Sequence, residues 1–119
     1  MAIEFINLTP HKINIQTGDG DEVGGITIPP SGTVARVVIE EQVLGLVPGT
    51  KIKMVARRAG AVAGLPEETP NTVFIVSAMT LDHCPGRGDV FAPDTGATAV
   101  RDDNGHIQAV RRLVAAPPA

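Results

Sequence analysis

The sequence predicts an α+β domain that is β-rich, with a small mixed sheet, one or two short helices and a C-terminal β-hairpin. Three observations predict it. Short runs of alternating or β-branched residues recur along the chain, punctuated by 13 Gly and 10 Pro among 119 residues, which is turn chemistry for a strand-rich fold. The segment Thr72 to Val76 reads TVFIV and is apolar throughout, as a strand buried on both faces is. Asn104-Gly105 stands between two strand-like runs, the strongest hairpin signal in the chain.

The elements follow in order. Ile3 to Leu8 is rich in β-formers and stops at Thr9-Pro10. Lys12 to Gln16 alternates, with Ile13 and Ile15 on one side and Lys12, Asn14 and Gln16 on the other. Thr17 to Gly25 carries four glycines and three acids and reads as a flexible hairpin loop before a short strand, Ile26 to Ile28. Pro29-Pro30-Ser31-Gly32 is a turn. Thr33 to Ile39 reads as a strand, and Glu40 to Val47 is open between a helical turn and other structure. Pro48-Gly49 turns the chain into an alternating strand, Lys51 to Arg57. Residues 59–71 hold Gly60, Gly64, Pro66 and Pro70 and read as a flexible loop within one domain spanning 1–119. After TVFIV, Ser77 is a helix cap, Ala78 to His83 a short helix, and Pro85-Gly86 its stop. Asp89 to Ala92 reads as a strand, and 115–119 as a frayed tail.

Bulk composition narrows the function classes. Hydrophobic residues make up 43%, a globular proportion, but aromatics only 3%, so the core rests on aliphatic side chains. Scarce aromatics, a formal charge of -3 and scattered cations count against a nucleic-acid partner. No apolar run is long enough for a membrane helix, and no signal peptide is read in the first ten residues. A single cysteine, Cys84, allows no internal disulfide and fits a cytoplasmic setting.

The candidate site gathers at two places. At the junction of strand, Ser77 and helix, unpaired backbone N–H groups and the helix dipole favour an anion. Arg87 and Asp89 follow closely enough to be expected at the same edge. The second place is Asn7-Leu8-Thr9-Pro10-His11, where proline stiffens a corner that presents His11. A cap that is only a cap, and a turn with an exposed imidazole, are the plain structural alternatives. The acidic loop Asp19-Gly20-Asp21-Glu22 lacks calcium-loop spacing and reads as a solvated turn. His11, His83, His106 and Cys84 have no zinc-binding spacing, so no metal is expected. Cys84 reads as a small, partly buried side chain. Arg87-Gly88-Asp89 is read as a coincidental tripeptide. No nucleophile elbow, phosphate loop or dinucleotide fingerprint is present, so no catalytic residue and no cofactor is assigned.

The start INLTPHKINI, the centre TVFIVSAMTLD, the segment PGRGDVFAPDTG and the end AVRDDNGHIQAVRRL resemble, in that order, a widespread group of small phage and prophage proteins with an N-terminal NLTPH signature. The shared pattern falls on Asn7, Thr9, Pro10, His11, Ser77, Arg87, Asp89, Arg101, Asp102 and Gly105 and omits the middle, 18–70. The resemblance implies a phage or prophage setting in a bacterial cytoplasm. It implies no activity. The leading expectation is therefore an accessory protein that binds a small anionic, nucleotide-like ligand through Asn7, His11, Ser77, Arg87, Asp89 and Arg101. By analogy alone, such a protein counteracts host defence signalling, often as a homo-oligomer. A structural or interaction protein without a ligand is the alternative. A hydrolase using His11 and Asp89 is the second, and it requires the two to share one cleft.

Overall fold

The computed structural model describes residues 3–17 and 24–119. The acidic loop residues Asp19, Asp21 and Glu22 lie outside the described residues. The centre is a four-stranded sheet of β1 (Glu4–Asn7), β6 (Thr72–Ile75), β7 (Val90–Pro93) and β10 (Leu113–Ala115), adjacent in that order. β1, β6 and β7 run parallel, with Asn7 level with Ile75 and Ile75 level with Phe91. β10 returns antiparallel on β7. The sheet is therefore mixed.

β6 lies inside this sheet, and its apolar run has a direct cause. Phe74 and Val76 point into one buried cluster with Leu8, Ala35, Leu81, Cys84, Val90 and Ala92. Ile75 points into a second cluster with Ile13, Ile15, Ile28 and Val110, and Val73 packs beside it. Each face has its own core, so Val73, Phe74 and Ile75 are all apolar, and the one polar position, Thr72 at the strand's start, satisfies its hydroxyl on the Pro70 carbonyl. The first face is closed by α1 (Ala78–Leu81). The second is closed by β2 (Ile13–Thr17) paired with β3 (Gly24–Ile28); Ile13 and Ile15 alternate inward as the period-two pattern predicts and Ile28 joins them.

The structure decides one segment that the sequence left open and departs from the sequence reading in others. β4 runs from Arg36 to Leu46 without a helical turn, and β5 runs from Lys53 to Ala63. The segment read as a flexible loop at 59–71 thus begins as strand, and the connection that remains starts at Gly64. The tail also packs: Ala116 touches the first core, and the Gly86 N–H donates to the Pro117 carbonyl at 2.8 Å.

β4 and β5 form a long two-stranded arm. Its root is anchored, because Val62 and Leu65 pack against the first core. Gly64 makes this approach possible: its φ is +80°, and a Cβ there would meet the Val34 carbonyl oxygen at 2.7 Å. Its far end turns at Pro48-Gly49, where the Thr50 N–H donates to Val47 and Gly49 takes φ +78°. The molecule measures 65 × 39 × 27 Å with a radius of gyration of 18.3 Å. A compact chain of this length has about 13.5 Å, so the arm projects from the body.

The C-terminal hairpin forms where Asn104-Gly105 places it, between β8 (Val100–Arg101) and β9 (Ile107–Ala109). Only Gly105 has positive φ, at 82°, and its N–H donates to the Asp102 carbonyl. The turn is thus closed by one left-handed glycine rather than by a primed two-residue turn, which needs positive φ at both residues.

Candidate functional site

The carboxyl ends of the three parallel strands open onto a cleft of about 730 Å³. Open sheets with parallel strands commonly offer ligand space at this edge. Three segments build it. β1 ends at Asn7, and the turn beyond it carries His11 and Lys12 to the rim. β6 ends before Ser77, which caps α1. The β8–β9 hairpin supplies the opposite wall through Ile107 and Gln108.

Asn7 shapes this corner from behind. Its side-chain amide donates to the His11 carbonyl at 2.8 Å and to the Ile28 carbonyl at 3.0 Å. Its oxygen accepts from the Thr9 N–H at 2.9 Å and the Thr9 hydroxyl at 2.7 Å. Two donors and two acceptor sites are thereby all used. Asn7 is 1% exposed, so it fixes the turn that presents His11 and leaves nothing for a ligand. Ser77 is exposed at the cleft; its Oγ accepts from the Thr80 N–H at 3.3 Å and donates to the Thr80 hydroxyl at 3.0 Å. Asn14, also at the cleft, accepts from the Thr27 hydroxyl at 2.8 Å and donates to the Gln108 carbonyl at 3.2 Å, tying β2 to the hairpin.

Among the described residues no carboxylate lines the cleft, although the chain is net acidic, and it gathers Lys12 and His11. Sequence reading missed Lys12 and Gln108. The signal for Lys12 was present, since it follows His11 and points away from Ile13 and Ile15. Gln108 gave no local signal, because its hairpin reaches the cleft through long-range links from Asn14 and Gln16 to Gln108 and Val110.

Arg87 and Asp89 do not join this site, which corrects the expectation that they return to the Ser77 edge. Ile75 is level with Phe91, so Ser77 is level with Pro93, and Arg87 lies six residues earlier. The strand steps from Val90 to Pro93 alone span about 10 Å at ~3.3 Å per residue, and Arg87 lies in the turn before them. The crossover through α1 carries the chain back to the opposite end of the sheet before β7 begins. There Arg87 Nε and Nη2 grip the Asp89 carboxylate at 2.9 and 3.0 Å, and Nη2 also donates to the Pro66 carbonyl at 3.0 Å. These hydrogen bonds hold the Asp89 carboxyl below the usual carboxylate range against the opposing effect of burial, and push the Arg87 guanidinium up. Asp89 borders a separate hollow of about 650 Å³ beside Glu68 and Thr72. His11 and Asp89 thus occupy different hollows, and the acid–base pair of a hydrolase does not form.

Arg101 braces the hairpin wall. Its two terminal nitrogens donate to the carbonyls of Gly105 at 2.8 Å and Thr95 at 3.0 Å. Cys84 is buried, with its thiol donating to the Thr80 carbonyl at 3.3 Å. Burial pushes that thiol up; Arg87 opposes the shift and Asp89 adds to it. Among the described residues, no three His, Cys, Asp or Glu side chains come together as a metal site. Among the described residues no helix is long and apolar enough to cross a membrane. Comparison with protein-family models, curated proteins and solved structures finds no match to this chain.

Proposed function

We propose that the chain is a small accessory protein, set in a phage or prophage genome, that holds a small anionic ligand in the cleft between His11 and Ser77. One observation carries the reading: among the described residues, a net-acidic chain places no carboxylate in the lining of this cleft while bringing Lys12 and His11 into it. The Ser77 hydroxyl and the Gln108 amide add polar contacts, and Ile13 and Ile107 supply apolar wall. No aromatic side chain lines the cleft, so recognition falls on the charged group rather than on a stacked base. Sequestering a host nucleotide signal in a bacterial cytoplasm fits that chemistry by analogy.

The test is a thermal-shift panel of inorganic phosphate, mononucleotides, cyclic nucleotides and small carboxylates. A true ligand at a hundred times its Kd stabilises the fold by about 2.7 kcal/mol. The shift should vanish in Lys12→Ala and shrink in His11→Ala. A flat panel, or a shift that survives Lys12→Ala, ends this reading.

A second reading has its own observation. The β4–β5 arm exposes Ile39, Val43, Leu44, Leu46 and Ile52, each more than half accessible. So many exposed large apolar side chains on one element mark it as a candidate for interaction.

A further inference from the structure

The arm has two chemically different faces. Directly paired residues share a face, so the register Ile39–Ala59, Glu41–Arg57, Val43–Val55 defines one of them. The other carries Glu40–Arg58 and Gln42–Ala56. The first face is thus an apolar strip with one ion pair in its middle, Glu41 to Arg57 at 3.0 Å. The second is polar, with Glu40 to Arg58 at 2.6 Å. Ile39, Val43 and Val55 are 54%, 66% and 42% exposed, so nothing among the described residues covers the strip. A two-stranded ribbon alone is marginal in water and needs a covered apolar face.

We propose that this face packs against the same face of a second copy of the chain, giving a two-fold dimer with the arms side by side and pointing the same way. Charge complementarity selects the partner and the orientation. With the two-fold axis along the strands, β4 lies over the partner's β5. Glu41 then faces the partner's Arg57, and Arg57 faces the partner's Glu41. Val43 meets the partner's Val55, and Ile39 meets the partner's Ala59, a large residue against a small one. With the axis across the strands, Glu41 would lie on the partner's Glu41 and Arg57 on the partner's Arg57, which is repulsive. Pairing along the arm's edges is obstructed instead, because the β4 register shifts between Val37 and Ile39 and again between Val43 and Gly45. The strip runs from Ile39 to Val43 between the two register shifts, about 13 Å at ~3.3 Å per residue and only two strands wide, so the dimer is a weak one that forms with rising concentration.

This inference deepens the interaction reading and is independent of the ligand. Sedimentation velocity of the whole chain over a concentration series tests it. The wild type should pass from monomer to dimer and stop there. Val43→Glu, Glu41→Arg and Arg57→Glu should each weaken the dimer at least about tenfold, which is about 1.4 kcal/mol. An equimolar mixture of Glu41→Arg and Arg57→Glu chains should restore it, which shows that both variants fold. Lys12→Ala should leave it unchanged. A species larger than a dimer, or single charge variants that still pair fully, overturns the arrangement. A wild type that stays monomeric to its solubility limit overturns the dimer. If such a monomer still forms an arm-dependent complex with another protein, the interaction reading survives; if it forms none, that reading fails as well.

Discussion

The body and the arm are built from the same aliphatic residues and obey opposite rules. In the body, β6 has a core on each face, and Ile75, Val76 and Val90 are fully buried. In the arm, two strands of 11 residues leave nearly every side chain in solvent. β-branched content therefore shows that a segment is extended, not that it is inside. Burial is decided by what lies across the face. The first core has α1 and the arm's root; the arm's strip has nothing over it from the described residues.

That contrast can be broken, and the largest effect is expected in the core. Phe74→Ala should cost about 3–5 kcal/mol in denaturant unfolding, as truncations of buried aromatics do. A loss below about 1 kcal/mol would mean that Phe74 is not the centre of the first cluster. Asn7→Ala should follow at about 2–3 kcal/mol, since it strips partners from two carbonyls and from the Thr9 N–H. Asn7→Asp should fail to rescue it, because a carboxylate cannot donate to His11 and Ile28.

The Arg87–Asp89 pair at the amino end of the sheet comes next, at about 1–3 kcal/mol for Arg87→Ala, which leaves a mostly buried carboxylate without its partner. Its pH dependence has a definite sign. The carboxyl titrates lower in the folded chain than in the unfolded one. Its stabilisation is therefore complete above the ordinary Asp range and is lost as pH falls through the folded value. Melting curves should show an acid limb below about pH 4 that is shallower in Arg87→Ala. An unchanged acid limb would assign it to other carboxylates, such as Asp94, which the Arg112 hydrogen bond also holds low.

The smallest effect is expected in the arm. Val43→Ser, measured where the chain is monomeric, should change stability by less than about 0.5 kcal/mol. Amide exchange sharpens the same comparison: Ile75 and Val76 should exchange only on global unfolding, whereas amides of residues 39–43 should exchange quickly in the monomer. Slow arm exchange at high dilution would show that the ribbon is stable by itself.

Much of the local architecture was legible. Pro48-Gly49 and Asn104-Gly105 mark turns because few residues tolerate their backbone conformations. Ser77 caps α1, and the helix stops short of Pro85-Gly86. The site was only half legible. His11 and Ser77 both reach the cleft, since each stands just past the end of a parallel strand. Asn7 turned inward and became saturated. Arg87 and Asp89 are close to Ser77 in sequence yet sit across the sheet from it, because a parallel crossover must return to the start of the next strand.

By itself, the sequence determined what depends on neighbouring residues: the strand-rich composition, the turns, the helix cap, and the doubly buried strand at 72–76. Tertiary structure alone decided what depends on register and partnership. It placed Lys12 and Gln108 beside His11, removed Arg87 and Asp89 to the far end, and extended β4 and β5 into an arm with one bare apolar face. The physical reason is range. Propensity and turn chemistry act over a few residues, whereas strand order and coverage are set by contacts between segments as distant as Asn14 and Val110.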